Sequence, residues 1–118
     1  MPSLKITPFM IDIPDADLDE LRARLLATRW PAVRANAAWT DGVADEWVRS
    51  FTAHWTDAYD WRDEEARLNT FPQYLTTIDG QQIHFVHVRS RVPGALPLIM
   101  THGWPSTFAD FSELIGPP

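Results

Sequence analysis

One continuous apolar run late in the chain limits the folds that are open to it. The run extends from Leu96 to Thr101 and is followed by His102-Gly103-Trp104-Pro105. Apolar residues without polar alternation are typical of a strand that is buried on both faces. A helix is predicted to start near residue 106, which gives a strand–loop–helix unit, the beginning of a parallel crossover. Because such a strand needs neighbouring strands and covering helices, the 118 residues read as the opening of a larger α/β domain.

The first part of the chain has helical periodicity. An apolar stripe over residues 18–26 predicts a helix over 15–29, and Asp17 and Glu20 resemble its capping box. Further helices are predicted over 43–58 and 61–69. One face of the second helix is aromatic, and we expect that face to pack against a core rather than to bind a ligand; it carries Trp47, Phe51 and Trp55.

The pattern then changes to that of strands. Residues 74–78 and 83–88 predict two antiparallel strands, and Asp79-Gly80 between them is a favoured two-residue hairpin turn. The predicted fold class is therefore α/β: an N-terminal helical segment, then a β-hairpin and a strand–loop–helix unit of a sheet that is incomplete in this chain. We divide it into residues 1–70, the helical segment, and residues 71–118, the start of the sheet core.

Composition excludes several functional classes. The formal charge of −6 argues against non-specific binding of nucleic acid or anionic membranes. The absence of cysteine excludes disulfides, thiol catalysis and cysteine-ligated metals. No apolar stretch approaches the roughly 20 residues of a membrane span, and the first residues lack a signal-peptide pattern, so neither a membrane anchor nor secretion is expected. The expected location is the cytoplasm.

The loop after the apolar run carries the most specific chemical signal. Ligands of open α/β sheets bind at the carboxyl ends of the strands, where this loop lies. Gly103 permits unusual backbone angles, and Pro105 fixes its own φ and allows a cis bond after Trp104. The backbone N–H of Trp104 is then left to face an anion, as one half of an oxyanion hole. We expect His102 to shape the loop by hydrogen bonding rather than to act as a general base.

Two further histidines lie in the second predicted strand. His84 and His87 are three residues apart and therefore point to opposite faces of that strand. This spacing favours structural histidines over a metal site, and no metal is expected.

Several short motifs follow one another in a fixed order along nearly the whole chain. They are Thr28-Arg29-Trp30-Pro31, Ile78-Asp79-Gly80, Ile83-His84-Phe85-Val86-His87 and the stretch from Pro97 to Pro105. As an ordered set they resemble the N-terminal part of a microsomal-type epoxide hydrolase, a member of the α/β-hydrolase fold. After Pro105 the family commonly has Gly-Ser, whereas this chain has Ser106-Thr107.

The resemblance implies a reaction and a division of labour. Family members open an epoxide with an Asp nucleophile, hydrolyse the resulting alkyl-enzyme ester with water activated by a His, and release a vicinal diol without a cofactor. The resemblance implies that Trp104 donates a hydrogen bond to the oxyanion and lines the substrate pocket. It also implies that the nucleophile, the base and the cap Tyr residues lie outside this chain. The chain alone is then expected to be inactive. Its partners would be the epoxide, water and the remainder of the hydrolase domain, with a homodimer as a further candidate.

Two other interpretations remain open at this point. In the first, the parent protein is another α/β-hydrolase, such as a haloalkane dehalogenase or an esterase. The helices over 15–58 argue against this interpretation. Alternatively, the chain is a non-catalytic module that binds a protein through its Trp-rich face.

Overall fold

The computed structural model describes residues 5–32, 39 and 42–115. Their elements are, in chain order, β1 (Thr7–Phe9), α1 (Asp15–Leu26), α2 (Asp45–Asp57), α3 (Trp61–Leu68), β2 (Gln73–Ile78), β3 (Gln81–Val86), a 3-10 turn (Phe108–Phe111) and α4 (Ser112–Ile115). The chain divides into two compact units. One is Ile13–Trp61, and the other comprises the described residues of Met1–Asp12 and Arg62–Pro118. The predicted division at residue 70 stays a prediction.

The second of these units contains a three-stranded antiparallel sheet with the order β1-β2-β3. The predicted hairpin is present, and Thr76 lies opposite Ile83 in its register. Asp79 and Gly80 have φ of 50° and 79°. Two successive positive φ values are those of a type I′ turn, whose twist suits a two-residue hairpin. Asp79-Gly80 therefore sets the position of the turn and, with it, the pairing of β2 with β3.

Strand β1 was not predicted. It is three residues long, contains Pro8, and pairs with β2 through Thr7 opposite Leu75 and Phe9 opposite Gln73. Proline lacks an N–H and is tolerated at the edge of a sheet, which is the position β1 takes among the described strands. The core of this unit is small, since its buried apolar side chains are Leu68 and Phe71.

The unit Ile13–Trp61 contains α1 and α2. Helix α1 ends at Leu26, three residues before the predicted end, because Thr28 N–H bonds the Leu25 carbonyl and closes the last turn. The predicted capping box is wrong: the N-cap is Pro14, whose carbonyl accepts from the Asp17 N–H at 3.0 Å, and no side chain caps the helix. The two acidic residues of the first turn, Asp15 and Asp17, interact favourably with the helix dipole instead.

The aromatic face of α2 forms a continuous row of rings. Their centroids lie 5.9 Å apart for Trp39–Trp47, 5.3 Å for Trp47–Phe51 and 6.2 Å for Phe51–Trp55. All four side chains are exposed. The expectation that this face packs against a core, rather than binding a ligand, stays a prediction.

The third predicted strand is not part of the sheet. Residues 96–101 have no strand assignment and pair with none of the described residues. The side chains of Leu96, Leu98 and Ile99 are 92%, 81% and 89% exposed. The apolar run has the composition of a strand buried on both faces, but sheet formation needs a neighbouring strand, and the described part of the chain offers none beside it.

Among the described residues, no helix is long and apolar enough to cross a membrane. The first four residues, which bear on the signal-peptide prediction, lie outside those described.

Candidate oxyanion loop and its supporting network

The loop from His102 to Ser106 is a tight turn. The Ser106 N–H donates to the Gly103 carbonyl at 2.8 Å, and the Trp104–Pro105 peptide bond is cis. A cis proline in the third position of a four-residue turn defines a type VI turn. In such a turn only the first carbonyl and the last N–H bond each other. Proline has no N–H, and the Trp104 N–H in the middle of the turn is not engaged by the turn's own hydrogen bond. The N–H groups of His102 and Gly103 also have no acceptor among the described residues.

Trp104 is presented outward by this turn. Its side chain is 95% exposed, and its backbone N–H has no acceptor among the residues that the structure describes. An N–H group that is already unpaired and held by a turn can bind an oxyanion without first breaking another bond. The geometry of the loop thus provides one preorganised donor at the end of the exposed apolar segment.

His102 and Gly103 directly precede the tryptophan. The backbone of Gly103 does not use the left-handed region, and a Cβ added there would meet no described atom within 4 Å. The loop-shaping role expected of Gly103 stays a prediction. The Nδ1 atom of His102 lies 3.3 Å from the Gly103 carbonyl oxygen, a contact within the loop itself. The loop-shaping role of His102 stays a prediction.

Ser106 and Thr107 attach the loop to the following turn. They stand where the family that the chain resembles commonly has Gly-Ser. The Ser106 hydroxyl bonds the Asp110 carboxylate, and the Thr107 hydroxyl accepts from the Ala109 N–H at 3.2 Å. Thr107 is thereby the N-cap of the 3-10 turn that begins at Phe108. Relative to Gly-Ser, Ser106 adds a side-chain hydrogen bond to Asp110, whereas the Thr107 hydroxyl makes a cap that a serine could also make.

A polar network lies inside the same compact unit, on the sheet face that carries His84. The Nε2 atom of His84 is 2.9 Å from Oε1 of Gln73, and Gln73 Nε2 donates to the Leu68 carbonyl at 2.9 Å. Asn69 Oδ1 accepts from Gln73 at 3.3 Å and from the Ile11 N–H at 2.9 Å, and Asn69 Nδ2 donates to the Ile11 carbonyl at 2.8 Å. The network joins β2 and β3 to the last residue of α3 and to the segment after β1, through side chains that bond one another and main-chain groups.

The hydrogen-bond donors in this network determine which ring nitrogen of His84 carries a hydrogen. Because the Gln73 amide nitrogen faces two acceptors, its oxygen must be the atom that faces the imidazole, and His84 Nε2 therefore carries a hydrogen. Burial lowers the pKa of His84, since it disfavours the charged imidazolium. Burial thus favours the neutral imidazole, and the bond to Gln73 favours the tautomer with its hydrogen on Nε2. Asn69 and Gln73 were not predicted, because their partners are distant in sequence and follow no periodic pattern.

The described residues contain no cluster of three potential metal ligands. They also bring no Asp or Glu beside the Trp104 amide at hydrogen-bonding distance. The arrangement can therefore stabilise a negative charge, whereas a nucleophile and a base would have to come from elsewhere.

Comparison with known proteins gives this loop a context. A sequence profile described as "Epoxide hydrolase N terminus" matches residues 6–111. A protein of Stigmatella aurantiaca that is provisionally named an epoxide hydrolase is 46% identical over 110 residues. Epoxide hydrolase 1 of Sus scrofa is 31% identical over 114 residues. Each match covers 93% of this chain and 25% of the relative.

Solved structures give the same result. The Aspergillus niger epoxide hydrolase superposes with a TM-score of 0.82 at 35% identity, over 91% of this chain and 29% of its own. The chain therefore spans about a quarter of the length of the relatives it matches. The predicted fold class is confirmed at this level: helices followed by the first strands of an α/β-hydrolase sheet, of which the chain covers only a part.

Proposed function

Since the chain belongs to the family of epoxide hydrolase N-terminal regions, we propose that it is part of an epoxide hydrolase and supplies one oxyanion donor, the backbone N–H of Trp104. The observation that carries the proposal is the unengaged amide of Trp104 in its type VI turn. The complete protein would convert epoxides to vicinal diols, with water as the second substrate and no cofactor.

The proposed reaction has two steps. A carboxylate outside this chain attacks an epoxide carbon, the ring C–O bond breaks, and tyrosine hydroxyls protonate the departing oxygen, which leaves an alkyl-enzyme ester. Water that has been deprotonated by a histidine then adds to the ester carbonyl. The carbonyl oxygen becomes an oxyanion. Its collapse breaks the ester C–O bond, the departing alkoxide takes the proton held by the histidine to complete the diol, and the carboxyl group returns a proton to the tyrosinate left by the first step, which regenerates the carboxylate.

Trp104 acts in the second of these steps. Its N–H would donate to the oxyanion, and a donor of this kind must lie 2.7–3.1 Å from the developing charge. Removal of one such donor lowers kcat by about 10²–10³ in a well-studied hydrolase. The exposed indole is positioned to form part of the wall of the substrate pocket.

The exposed apolar segment identifies the remainder of a hydrolase domain as the main partner. Large side chains such as Leu96, Leu98 and Ile99 are stable in water only when something covers them. The relatives extend beyond the matched part by about three-quarters of their length, and we propose that this remainder contains the strands that such a segment requires. Cytoplasmic location and a homodimer remain part of the proposal, the former supported by the absence of cysteine.

The proposal is tested on the full-length protein that contains this chain. Its intact mass from the native source should exceed 13.5 kDa. Mixing it with a molar equivalent of styrene oxide and quenching with acid should give a protein heavier by one styrene oxide, and longer incubation should give the diol. An esterase or dehalogenase would instead turn over an ester or an alkyl halide. A protein that forms neither the adduct nor the diol would refute the proposal.

A further inference from the structure

The imidazole of His84 lies between two aromatic rings. Its centroid is 5.1 Å from that of Phe9 at an interplanar angle of 70°, and 5.1 Å from that of Phe108 at 56°. Both are edge-to-face or tilted contacts, in which ring position and ring orientation matter. Phe9 belongs to β1, and Phe108 is the first residue of the 3-10 turn. His84 is therefore a spacer between the sheet and the segment that follows the oxyanion loop.

Hydrogen bonding fixes the orientation of this spacer. Gln73 Oε1 accepts from His84 Nε2 at 2.9 Å, and the Gln73 amide is itself held by the Leu68 carbonyl and by Asn69. The network therefore stabilises the imidazole in its place, whereas the contact with Phe108 depends on the presence of a ring. A phenylalanine at this position would keep that ring and lose only the hydrogen bond.

Phe108 is in turn connected to Trp104 by a short, bonded path. Thr107 caps the turn that Phe108 begins, and the Asp110 N–H donates to the Thr107 carbonyl at 3.2 Å. Ser106 bonds both forward, to Asp110, and back, from its N–H to the Gly103 carbonyl. Displacement of Phe108 would therefore displace the loop that presents the Trp104 amide.

We propose that His84 is a positioning residue for the Trp104 oxyanion donor, acting through the ring contact with Phe108. This inference rests on the proposed function. It assigns His84 no contact with the substrate and no proton transfer. Since a misplacement of about 1 Å at a reacting group can cost about 10²-fold in rate, a ring that sets the position of the loop has a measurable effect on the second step.

Two substitutions separate the ring from its hydrogen bond. His84→Phe keeps a ring beside Phe108 but leaves the Gln73 oxygen without a donor, which costs stability more than position. His84→Gln places an amide nitrogen within reach of the Gln73 oxygen but removes the ring. His87→Gln, three residues along on an exposed side chain, is the matched control.

The experiment measures steady-state hydrolysis of styrene oxide and residue-resolved amide exchange in the full-length protein. For His84→Gln we expect kcat to fall about tenfold with KM within twofold, and exchange of the Ser106 amide to become about tenfold faster. His84→Phe should stay within threefold of the wild type in both measurements, and His87→Gln should match the wild type.

The two ideas fail in different ways. If the wild-type protein hydrolyses no epoxide, the proposed function is wrong, and the exchange of the Ser106 amide alone decides the positioning role. If Ser106 exchange in His84→Gln stays within twofold of the wild type, the positioning role is wrong, whatever the activity. Equal loss of kcat in His84→Phe and His84→Gln would also overturn it, because the ring would then not be the part that matters.

Discussion

The side chain of Asn69 bonds three groups, and its removal gives the sharpest test of the polar network. Its oxygen and nitrogen bond the N–H and carbonyl of Ile11 at 2.9 and 2.8 Å, and its oxygen also accepts from Gln73. These contacts join two segments that are 58 residues apart in sequence. Asn69→Ala should therefore loosen the chain at Ile11 rather than unfold the whole protein.

The magnitude follows from the two bonds to Ile11. At about 1 kcal/mol net for each bond, their loss lowers the free energy of local opening by about 2 kcal/mol. Since about 1.4 kcal/mol corresponds to a factor of ten, hydrogen–deuterium exchange of the Ile11 amide should become about 30-fold faster. The measurement is made by residue-resolved exchange on the full-length protein under native conditions.

Two further variants make the result specific. Asn69→Asp retains the oxygen that accepts from Ile11 but puts a carboxylate oxygen against the Ile11 carbonyl in place of the donor, so exchange at Ile11 should become faster in this variant too. Thr70→Ala removes an adjacent exposed hydroxyl that bonds the Arg67 carbonyl and should leave Ile11 unchanged. Exchange at Ile11 within threefold of the wild type in Asn69→Ala would show that these hydrogen bonds do not hold the segment.

Three other measurements test separate parts of the structure. The Thr76 hydroxyl is buried without a hydrogen-bond partner among the described residues, so Thr76→Val should raise the free energy of unfolding by about 1 kcal/mol while the exposed Thr77→Val changes it little; equal effects in denaturant titrations would contradict this. Gly80 has φ of 79°, so Gly80→Ala should lower stability by about 1 kcal/mol, and an unchanged denaturation midpoint would contradict the type I′ turn. Burial lowers the pKa of His84 in the folded protein. As the pH falls, the histidine of the unfolded chain is therefore protonated before that of the folded chain. The free energy of unfolding is unaffected by His84 above the ordinary pKa of about 6.5 and decreases as the pH falls from there through the pKa of the folded protein. His84→Phe should flatten that part of the stability–pH curve, and a curve with the same slope in the variant would contradict the attribution.

Local patterns in the sequence predicted the elements that depend on local physics. Asp79-Gly80 predicted the hairpin because two positive φ values are accessible to this pair at little cost. The aromatic spacing on α2 predicted its helical face for the same kind of reason. The capping box at Asp17 failed because Pro14 was able to begin the helix earlier with its carbonyl alone.

Features that depend on distant residues were not accessible from the sequence. The apolar run from Leu96 has strand composition, yet a strand exists only where another strand pairs with it. The network of Asn69, Gln73 and His84 joins positions with no common period, and β1 is too short to give a pattern. The loop sequence indicated Trp104 as a donor, and the turn explains why its amide is unengaged, whereas the supporting role proposed for His84 required the ring contacts.

The central claim is that the Trp104 N–H, and not merely its side chain, stabilises the oxyanion. Replacing the amide that precedes Trp104 by an ester, through incorporation of the corresponding α-hydroxy acid, removes this N–H and keeps the indole. The same replacement at Val92, an exposed residue whose N–H bonds the Ser90 hydroxyl, is the control. In single-turnover experiments on the full-length protein, we expect the alkyl-enzyme ester to form at close to the wild-type rate and its hydrolysis to slow by about 10²–10³. Hydrolysis of the ester at the wild-type rate would contradict the assignment of Trp104 as an oxyanion donor.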